Sequence, residues 1–121
     1  MKAFERLQAW QTAHGLALAV FAQTDRWPRT ELYGVMAQVR RAALSVPTNI
    51  AEGSAKRGER EFGRFLDITL GSLSELCYLL RFSHDRGLLS DGEWQALEEQ
   101  RDLTGRLVYG LYRKMRSRSR E

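Results

Sequence analysis

Residues 38–53 read Gln-Val-Arg-Arg-Ala-Ala-Leu-Ser-Val-Pro-Thr-Asn-Ile-Ala-Glu-Gly, and this stretch decides the fold. At about 100° per residue, apolar side chains fall on one helical stripe: Val39, Ala43, Val46 and Ile50. Hydrogen-bonding side chains fall on an adjacent stripe, which we call the polar stripe: Gln38, Arg41, Ser45, Asn49 and Glu52. Two stripes at helical period predict an amphipathic α-helix.

Pro47 lies inside this predicted helix. A proline in a helix interior removes one backbone hydrogen bond and costs about 3 kcal/mol. Because the helical period continues on both sides of Pro47, we expect a kinked helix that tertiary contacts support. We expect the polar stripe to form hydrogen bonds to a neighbouring helix or subunit, since partly buried polar groups need partners. Recognition of an outside ligand is the alternative role for these side chains.

The first helix is predicted to run from about Phe4 to Arg26. Its predicted buried stripe follows spacings of three and four: Phe4, Leu7, Gln11, His14, Leu18 and Phe21. Trp27-Pro28 ends this helix, because the residue before a proline is disfavoured in the helical region. Thr30 is the predicted N-cap of the second helix, which ends near the glycines of residues 53–58.

Two further helices complete the chain. The third is predicted to bury one side: Phe62, Phe65, Leu66, Thr69, Leu73, Leu76 and Leu80. Gly87 is its predicted stop, and Ser90-Asp91-Gly92-Glu93 matches a capping box. The fourth helix repeats at the same spacing: Trp94, Leu97, Arg101, Thr104, Val108, Leu111 and Met115. Short connections make such helices antiparallel neighbours, so we predict an all-α, up-down-up-down antiparallel four-helix bundle over residues 1–115 and an unstructured basic tail over residues 116–121.

The composition of the 121-residue chain, 43% hydrophobic, suits one domain with a single core. The lone Cys77 excludes an intramolecular disulfide and suits a reduced, cytoplasmic setting. The chain opens on an amphipathic pattern, so we expect no signal peptide. The longest apolar run, Gly15–Ala22, falls far short of the roughly 20 residues that a membrane span needs. We therefore expect no membrane partner.

Two segments of the chain carry clusters of basic residues. Residues 1–112 carry 14 Lys and Arg against 14 Asp and Glu, so the net charge of +4 comes wholly from residues 113–121. That segment sets five bases against Glu121: Arg113, Lys114, Arg116, Arg118 and Arg120. A second cluster is offset by Glu59 and Glu61 and contains these bases: Lys56, Arg57, Arg60 and Arg64. Clustered bases are typical of nucleic-acid binding; a solvated terminus and a solvated charged face are the alternatives.

Patterns for catalysis or metal binding are weak, so we predict no enzyme, no cofactor and no metal. Neither His14 nor His84 completes the Glu-x-x-His pairs of a di-iron bundle. Cys77 and His84 could form a catalytic pair, but Cys77 lies at an apolar edge, where a small buried thiol is typical. We expect His14 to be a core or interface histidine, and Arg101 to pair with a carboxylate. The tryptophans are expected to be core and interface anchors: Trp10, Trp27 and Trp94.

Four segments together resemble one protein family. They are residues 38–53, Leu7-x-x-Trp10, Trp27-Pro28, and Phe62-x-x-Phe65-Leu66 followed by Gly71-Ser72-Leu73-x-Glu75-Leu76. This set resembles the four-helix-bundle proteins encoded in 23S rRNA intervening sequences, over roughly residues 4–112. The Arg/Ser-rich end lies outside the pattern.

The resemblance implies a homopentamer of bundles around a central channel, with no established enzymatic activity. Members lie within inserts in the large ribosomal RNA gene or stand alone in bacterial genomes. A structurally similar bundle, the accessory protein of diversity-generating retroelements, binds a reverse transcriptase and nucleic acid. The polar stripe matches the signature's polar positions. Our leading hypothesis is a non-enzymatic oligomeric bundle that binds RNA or DNA, structured RNA in particular, through its clustered bases; the alternative is an adaptor that docks a reverse transcriptase.

Overall fold

A computed structural model describes residues 1–120 as four α-helices that pack side by side. We number them α1 (Gln8–Thr24), α2 (Val35–Ser54), α3 (Glu59–Asp85) and α4 (Asp91–Ser119). Each helix packs against the next in the chain, and α1 also packs against α4, which closes the bundle. The predicted all-α four-helix bundle is confirmed. None of the helices in residues 1–120 combines the length and the apolar character needed to cross a bilayer.

The helix α2 runs without interruption across Pro47, which is buried. All four residues of its predicted apolar stripe are fully buried: Val39, Ala43, Val46 and Ile50. Its N-cap is Gly34 and not Thr30, because Thr30 lies in a separate 3-10 turn, Arg29–Glu31. The helical assignment at Pro47 is therefore confirmed, whereas the bend expected there stays a prediction.

The buried face of α1 is not the predicted one. The helix begins at Gln8, because Leu7 adopts an extended conformation. Its buried residues are mostly small: Ala9, Ala13, Leu16, Ala17, Val20 and Thr24. The predicted stripe is wrong, since Gln11 and His14 are exposed and Leu18 is 58% exposed. The small side chains of the helix occupy the face that packs on α2 and α4, whereas its outer face combines Leu18 with the polar Gln11 and His14.

The connection between α3 and α4 forms as predicted. Gly87 adopts φ 84°, a left-handed conformation that glycine reaches without strain, and the Leu88 amide donates to the Ser83 carbonyl at 2.9 Å. The Ser90 hydroxyl accepts from the Glu93 amide at 3.1 Å, while the Glu93 carboxylate accepts from the Ser90 amide at 2.8 Å. This capping box fixes the first turn of α4.

The last helix continues beyond its predicted end. The segment after Met115 was expected to be unstructured, but α4 extends through Ser119. Met115 is 5% exposed and packs beside Gly63 of α3, so the core reaches the last turns of α4 and supports them. The basic side chains that follow are therefore displayed on a helix; Glu121 lies outside the described residues.

Candidate nucleic-acid interface

The two basic segments lie together at one end of the bundle. The first turns of α3 approach the last turns of α4, where Arg118 lies 3.8 Å from the Glu59 carboxylate. A groove of about 430 Å³ between the two helices is lined by arginines from both: Arg60, Arg64, Arg116 and Arg120. We call this the terminal groove. Two clusters that are separate in the sequence thus form one surface.

Carboxylates of α3 neutralise part of the terminal groove. Glu59, Glu61 and Asp67 also line it. The Arg64 guanidinium donates to Glu61 at 2.9 Å and 3.2 Å, and this hydrogen bond lowers the pKa of Glu61. Glu61 therefore stays ionised at neutral pH and holds Arg64. A polyanion entering this groove meets positive and negative side chains in alternation.

A second groove, on the outer side of α4, combines arginines with tyrosines. It measures about 560 Å³, and six residues line it: Tyr109, Tyr112, Arg113, Arg116, Ser117 and Arg120. We call it the Tyr–Arg groove. No carboxylate is found among these lining residues. It shares Tyr112, Arg116 and Arg120 with the terminal groove, so the two are continuous.

The tyrosines of the Tyr–Arg groove are held in different ways. The Arg116 guanidinium donates to the Tyr112 hydroxyl at 3.0 Å, and its carbon lies 5.8 Å from the Tyr112 ring centroid. Tyr109 lies 6.3 Å from Tyr112, centroid to centroid, and is 52% exposed. Sequence reasoning missed both tyrosines, although they lie inside the predicted fourth helix, because the arginines after Met115 were assigned to an unstructured tail and not to the same helix face. Once α4 is extended, spacings of three and four place Tyr109 with the arginines on one face.

The remaining predicted bases are more scattered. Lys56 and Arg57 are exposed in the turn before α3. The Lys56 ammonium lies 5.5 Å from the ring centroid of Phe65. Lys114 lies on a different side of α4, in a groove that Leu7 of the α1 side also lines. The structure therefore separates Lys114 from the Tyr–Arg groove.

Residues in the middle of the polar stripe form an ion pair and hydrogen bonds with other residues of the same chain. Arg41 forms an ion pair with Glu75 of α3, and the Ser45 hydroxyl lies 2.7 Å from the Ser72 hydroxyl. The Asn49 amide donates to the Ser45 carbonyl at 2.9 Å. The contacts of Arg41 and Ser45 match the expectation of hydrogen bonds to a neighbouring helix, whereas the contact of Asn49 stays within α2. Within residues 1–120, the exposed stripe ends show no side-chain hydrogen bond: Gln38 and Glu52. A role of the stripe in oligomerisation stays a prediction.

The histidine and cysteine side chains that were considered for catalysis or metal binding make structural contacts instead. Cys77 lies 3.6 Å from the Glu98 carboxylate, and burial raises the pKa of its thiol, which disfavours the reactive thiolate. Arg101 donates twice to Glu98 at 2.9 Å, so its predicted carboxylate partner is confirmed. His84 bonds instead to Asp91, at 2.6 Å. Within the described part of the chain, no three His, Cys, Asp or Glu side chains could hold a metal ion.

The aromatic anchors differ in burial. Trp27 is 7% exposed, as expected of a core anchor. Trp94 is half-buried, and the ring of His84 stacks on it with a centroid distance of 4.4 Å. Of the two positions expected for His14, the core position is wrong, because it is exposed and stacks on the half-buried Trp10 at 4.9 Å, whereas an interface position stays a prediction. The side of α1 that carries His14 is the side that faces away from the core.

Comparison with the curated proteins returns no match. A comparison with protein-family models matches residues 5–110 to the family described as 23S rRNA-intervening sequence protein. The match covers α1, α2, α3 and most of α4, including Tyr109, and ends before the arginines of the Tyr–Arg groove. On this match over most of its length, the chain belongs to the 23S rRNA-intervening sequence protein family.

Proposed function

We propose that this protein is a non-enzymatic, self-associating bundle that binds nucleic acid, structured RNA in particular, through the bases at the end of α4. The observation that carries the proposal is the Tyr–Arg groove, which Arg113, Arg116 and Arg120 line and whose lining includes no carboxylate from residues 1–120. Arginine contacts to phosphates supply much of the affinity of nucleic-acid-binding proteins. The family's description names 23S rRNA-intervening sequences, which is compatible with RNA as the ligand.

The test replaces the three arginines together, as Arg113→Gln/Arg116→Gln/Arg120→Gln. We expect a loss of affinity for an RNA hairpin at low salt. The slope of log affinity against log salt should fall by about 2–3, since each lost phosphate contact removes roughly 0.7–0.9. The matched control makes the same charge change at the opposite end: Arg26→Gln/Arg29→Gln/Arg86→Gln. Equal losses in both triple variants, or no loss in the first, would contradict the proposal.

We propose that self-association uses the outer side of α1 and α2, which we call the α1–α2 face. The helix α1 contains no Asp, Glu, Lys or Arg, although 28% of the chain is charged. Leu18 of α1 and Leu44 of α2 are 58% and 51% exposed. Arg40 bridges the two helices, with its guanidinium carbon 4.8 Å from the Phe21 ring centroid. An uncharged helix that exposes a large apolar side chain such as Leu18 on its outer side is suited to contact a partner there.

The size of the α1–α2 face suits a second copy of this chain. Two helices about 25 Å long and about 10 Å apart present roughly 500 Å². Pairing this face with an equal apolar surface would bury about 1,000 Å² in total, the lower range for specific complexes. We propose five subunits, following the family resemblance. A ring would need each α1–α2 face to contact a different surface of the next copy.

Sedimentation of the variants Leu18→Glu and Leu44→Glu tests this surface. We expect the wild type to be oligomeric and both variants to shift towards monomer, because a buried unpaired carboxylate is costly. Leu103→Glu on α4 is the matched control, since Leu103 is 46% exposed outside the face. A monomeric wild type, or equal disruption by Leu103→Glu, would contradict the assignment. An oligomer that copurifies with a reverse transcriptase even after nuclease treatment would favour the adaptor function instead.

A further inference from the structure

We propose that the Tyr–Arg groove takes unpaired nucleotides, with a base stacked on Tyr109 and neighbouring phosphates on the arginines. This inference rests on the proposed function and specifies which part of a nucleic acid the site accepts. The structured RNA of that proposal offers such nucleotides in its loops, bulges and ends. The aromatic ring of Tyr109 selects unpaired nucleotides, because their bases can stack on its face.

The tyrosine pair provides one fixed ring and one open ring. Tyr112 is half-buried, and Arg116 holds its hydroxyl at 3.0 Å. Tyr109 is one turn earlier on α4 and is 52% exposed. Its ring leans on Tyr112 at an interplanar angle of 32°. Tyr109 is therefore supported from one side and open on the other, as a stacking platform requires.

The arginines supply phosphate contacts along the same helix face. Arg113 and Arg120 are about 10 Å apart along the axis, at about 1.5 Å of rise per residue, with Arg116 between them. The groove of about 560 Å³ lies in the size range of small-molecule sites, so it has room for a nucleotide. Because no carboxylate of residues 1–120 lines the groove, these residues do not oppose the approach of a phosphate there.

A duplex can use the arginines but not the tyrosine. Within a double helix the base faces are covered by their neighbours, and A-form RNA is recognised mainly by shape, phosphates and 2′-hydroxyls. An unpaired base exposes its face and gains by stacking on an aromatic ring. The combination of three arginines with an exposed tyrosine in one groove therefore favours unpaired nucleotides over a duplex of equal charge.

The chain contains a matched control for Tyr109. Tyr78 on α3 is 65% exposed, and its ring also leans on an aromatic neighbour, Phe82, at 6.3 Å. Its groove, however, is lined by Glu31 as well as Arg86, so positive charge does not dominate there. Tyr78 matches Tyr109 in exposure and support but lacks the arginines.

The experiment measures affinities of the full chain for a single-stranded RNA and for an RNA duplex of equal charge. We expect Tyr109→Ala to lower the single-strand affinity about 5- to 100-fold and the duplex affinity by less than about twofold. Tyr109→Phe should retain the wild-type affinity, because the ring remains. Tyr78→Ala should change neither. The salt slope of Tyr109→Ala should equal the wild-type slope, since no phosphate contact is lost.

The outcomes separate this inference from the proposed function. If the triple arginine variant loses affinity but Tyr109→Ala does not, the stacking inference is overturned and the proposed function stands. Equal losses of single-strand and duplex affinity in Tyr109→Ala also overturn it. If neither the arginine nor the tyrosine variant changes binding, both proposals fail. Circular dichroism of each variant establishes that the exposed substitutions leave the bundle folded.

Discussion

The two ends of the bundle are built from the same kinds of side chain, cations beside aromatic rings, but they pair their cations differently. At the α3–α4 turn, His84 lies 2.6 Å from Asp91 and 3.3 Å from Asp85, and its ring stacks on Trp94. Arg81 pairs with the same Asp85 at 3.1 Å. His84 and Arg81 therefore each lie within hydrogen-bond distance of a carboxylate.

At the opposite end, pairing is incomplete. Arg64 is held by Glu61, but the Tyr–Arg groove presents Arg113, Arg116 and Arg120 with no carboxylate in its lining. Composition alone does not distinguish the two ends. The difference is that the turn end pairs His84 and Arg81 with carboxylates, which stabilises the hairpin, whereas the Tyr–Arg groove leaves its arginines available for an anionic ligand.

The largest effect is expected from breaking the packing that builds the terminal end. A Cβ atom on Gly53 of α2 would lie 2.7 Å from the Phe65 Cβ and 2.9 Å from the Phe62 ring, so α2 and α3 can approach only without a side chain there. Gly53→Leu should lower the free energy of unfolding by about 2–3 kcal/mol through overpacking. Urea unfolding measures it.

Gly71→Leu is the matched control for that change. A Cβ atom on Gly71, in the interior of α3, meets nothing within 4 Å. Leucine has the higher helix propensity, so this variant should be stabilised by about 0.5–1 kcal/mol. If the two leucine variants shift stability in the same direction, the close approach at Gly53 is not what limits packing.

A smaller loss is expected at the turn end, where the capping box starts α4. Ser90→Ala removes the acceptor for the Glu93 amide and should cost about 1 kcal/mol. Ser117→Ala, near the last turn of α4, should change stability by less than about 0.5 kcal/mol. Thermal unfolding of the two variants compares the ends directly. Equal shifts would mean that the turn end is no better fixed than the terminal end.

The sequence predicted this turn end well because its signals are local. Gly87 and the Ser90 capping box act over a few residues, and both appear where expected. The buried stripe of α2 was also predictable, since polar residues flank its apolar ones. In α1 the periodicity failed, because large apolar residues such as Leu18 lie on the outer face while alanines pack inside. Periodicity identifies an apolar helix face, but it does not show whether that face packs against another helix of the bundle.

The candidate site was predictable only in part. The bases of both clusters were identified from charge, but their meeting depends on the packing of α3 against α4, which no local signal encodes. Tyr109 went unnoticed because the arginines after Met115 were assigned to an unstructured tail and not to the same helix face. Burial of Met115 against α3 extends the helix, and that tertiary contact creates the Tyr–Arg groove.

A pH effect sharpens the comparison at the turn end. The hydrogen bond to Asp91 raises the pKa of His84, and Asp85 acts in the same direction. Protonated His84 is therefore favoured by folding: its stabilisation is complete below the unfolded pKa of about 6.5 and is lost as pH rises through the higher folded pKa. Urea unfolding of wild type and His84→Gln across neutral pH should show a falling stability difference. A pH-independent difference would remove His84 from this role.

The smallest effect is expected from releasing a paired cation at the terminal end. Glu61 binds Arg64, and this hydrogen bond lowers the pKa of Glu61, so the pair persists at neutral pH. Glu61→Gln should free Arg64 and raise RNA affinity by about two- to threefold at low salt, with the gain lost at high salt, because exposed pairs are weak and screened. Glu99→Gln, an exposed change of equal charge elsewhere on α4, is the control. An equal gain in both variants would show that the change in net charge alone raises RNA affinity. A gain confined to Glu61→Gln would show that the local pairing of Arg64 limits binding.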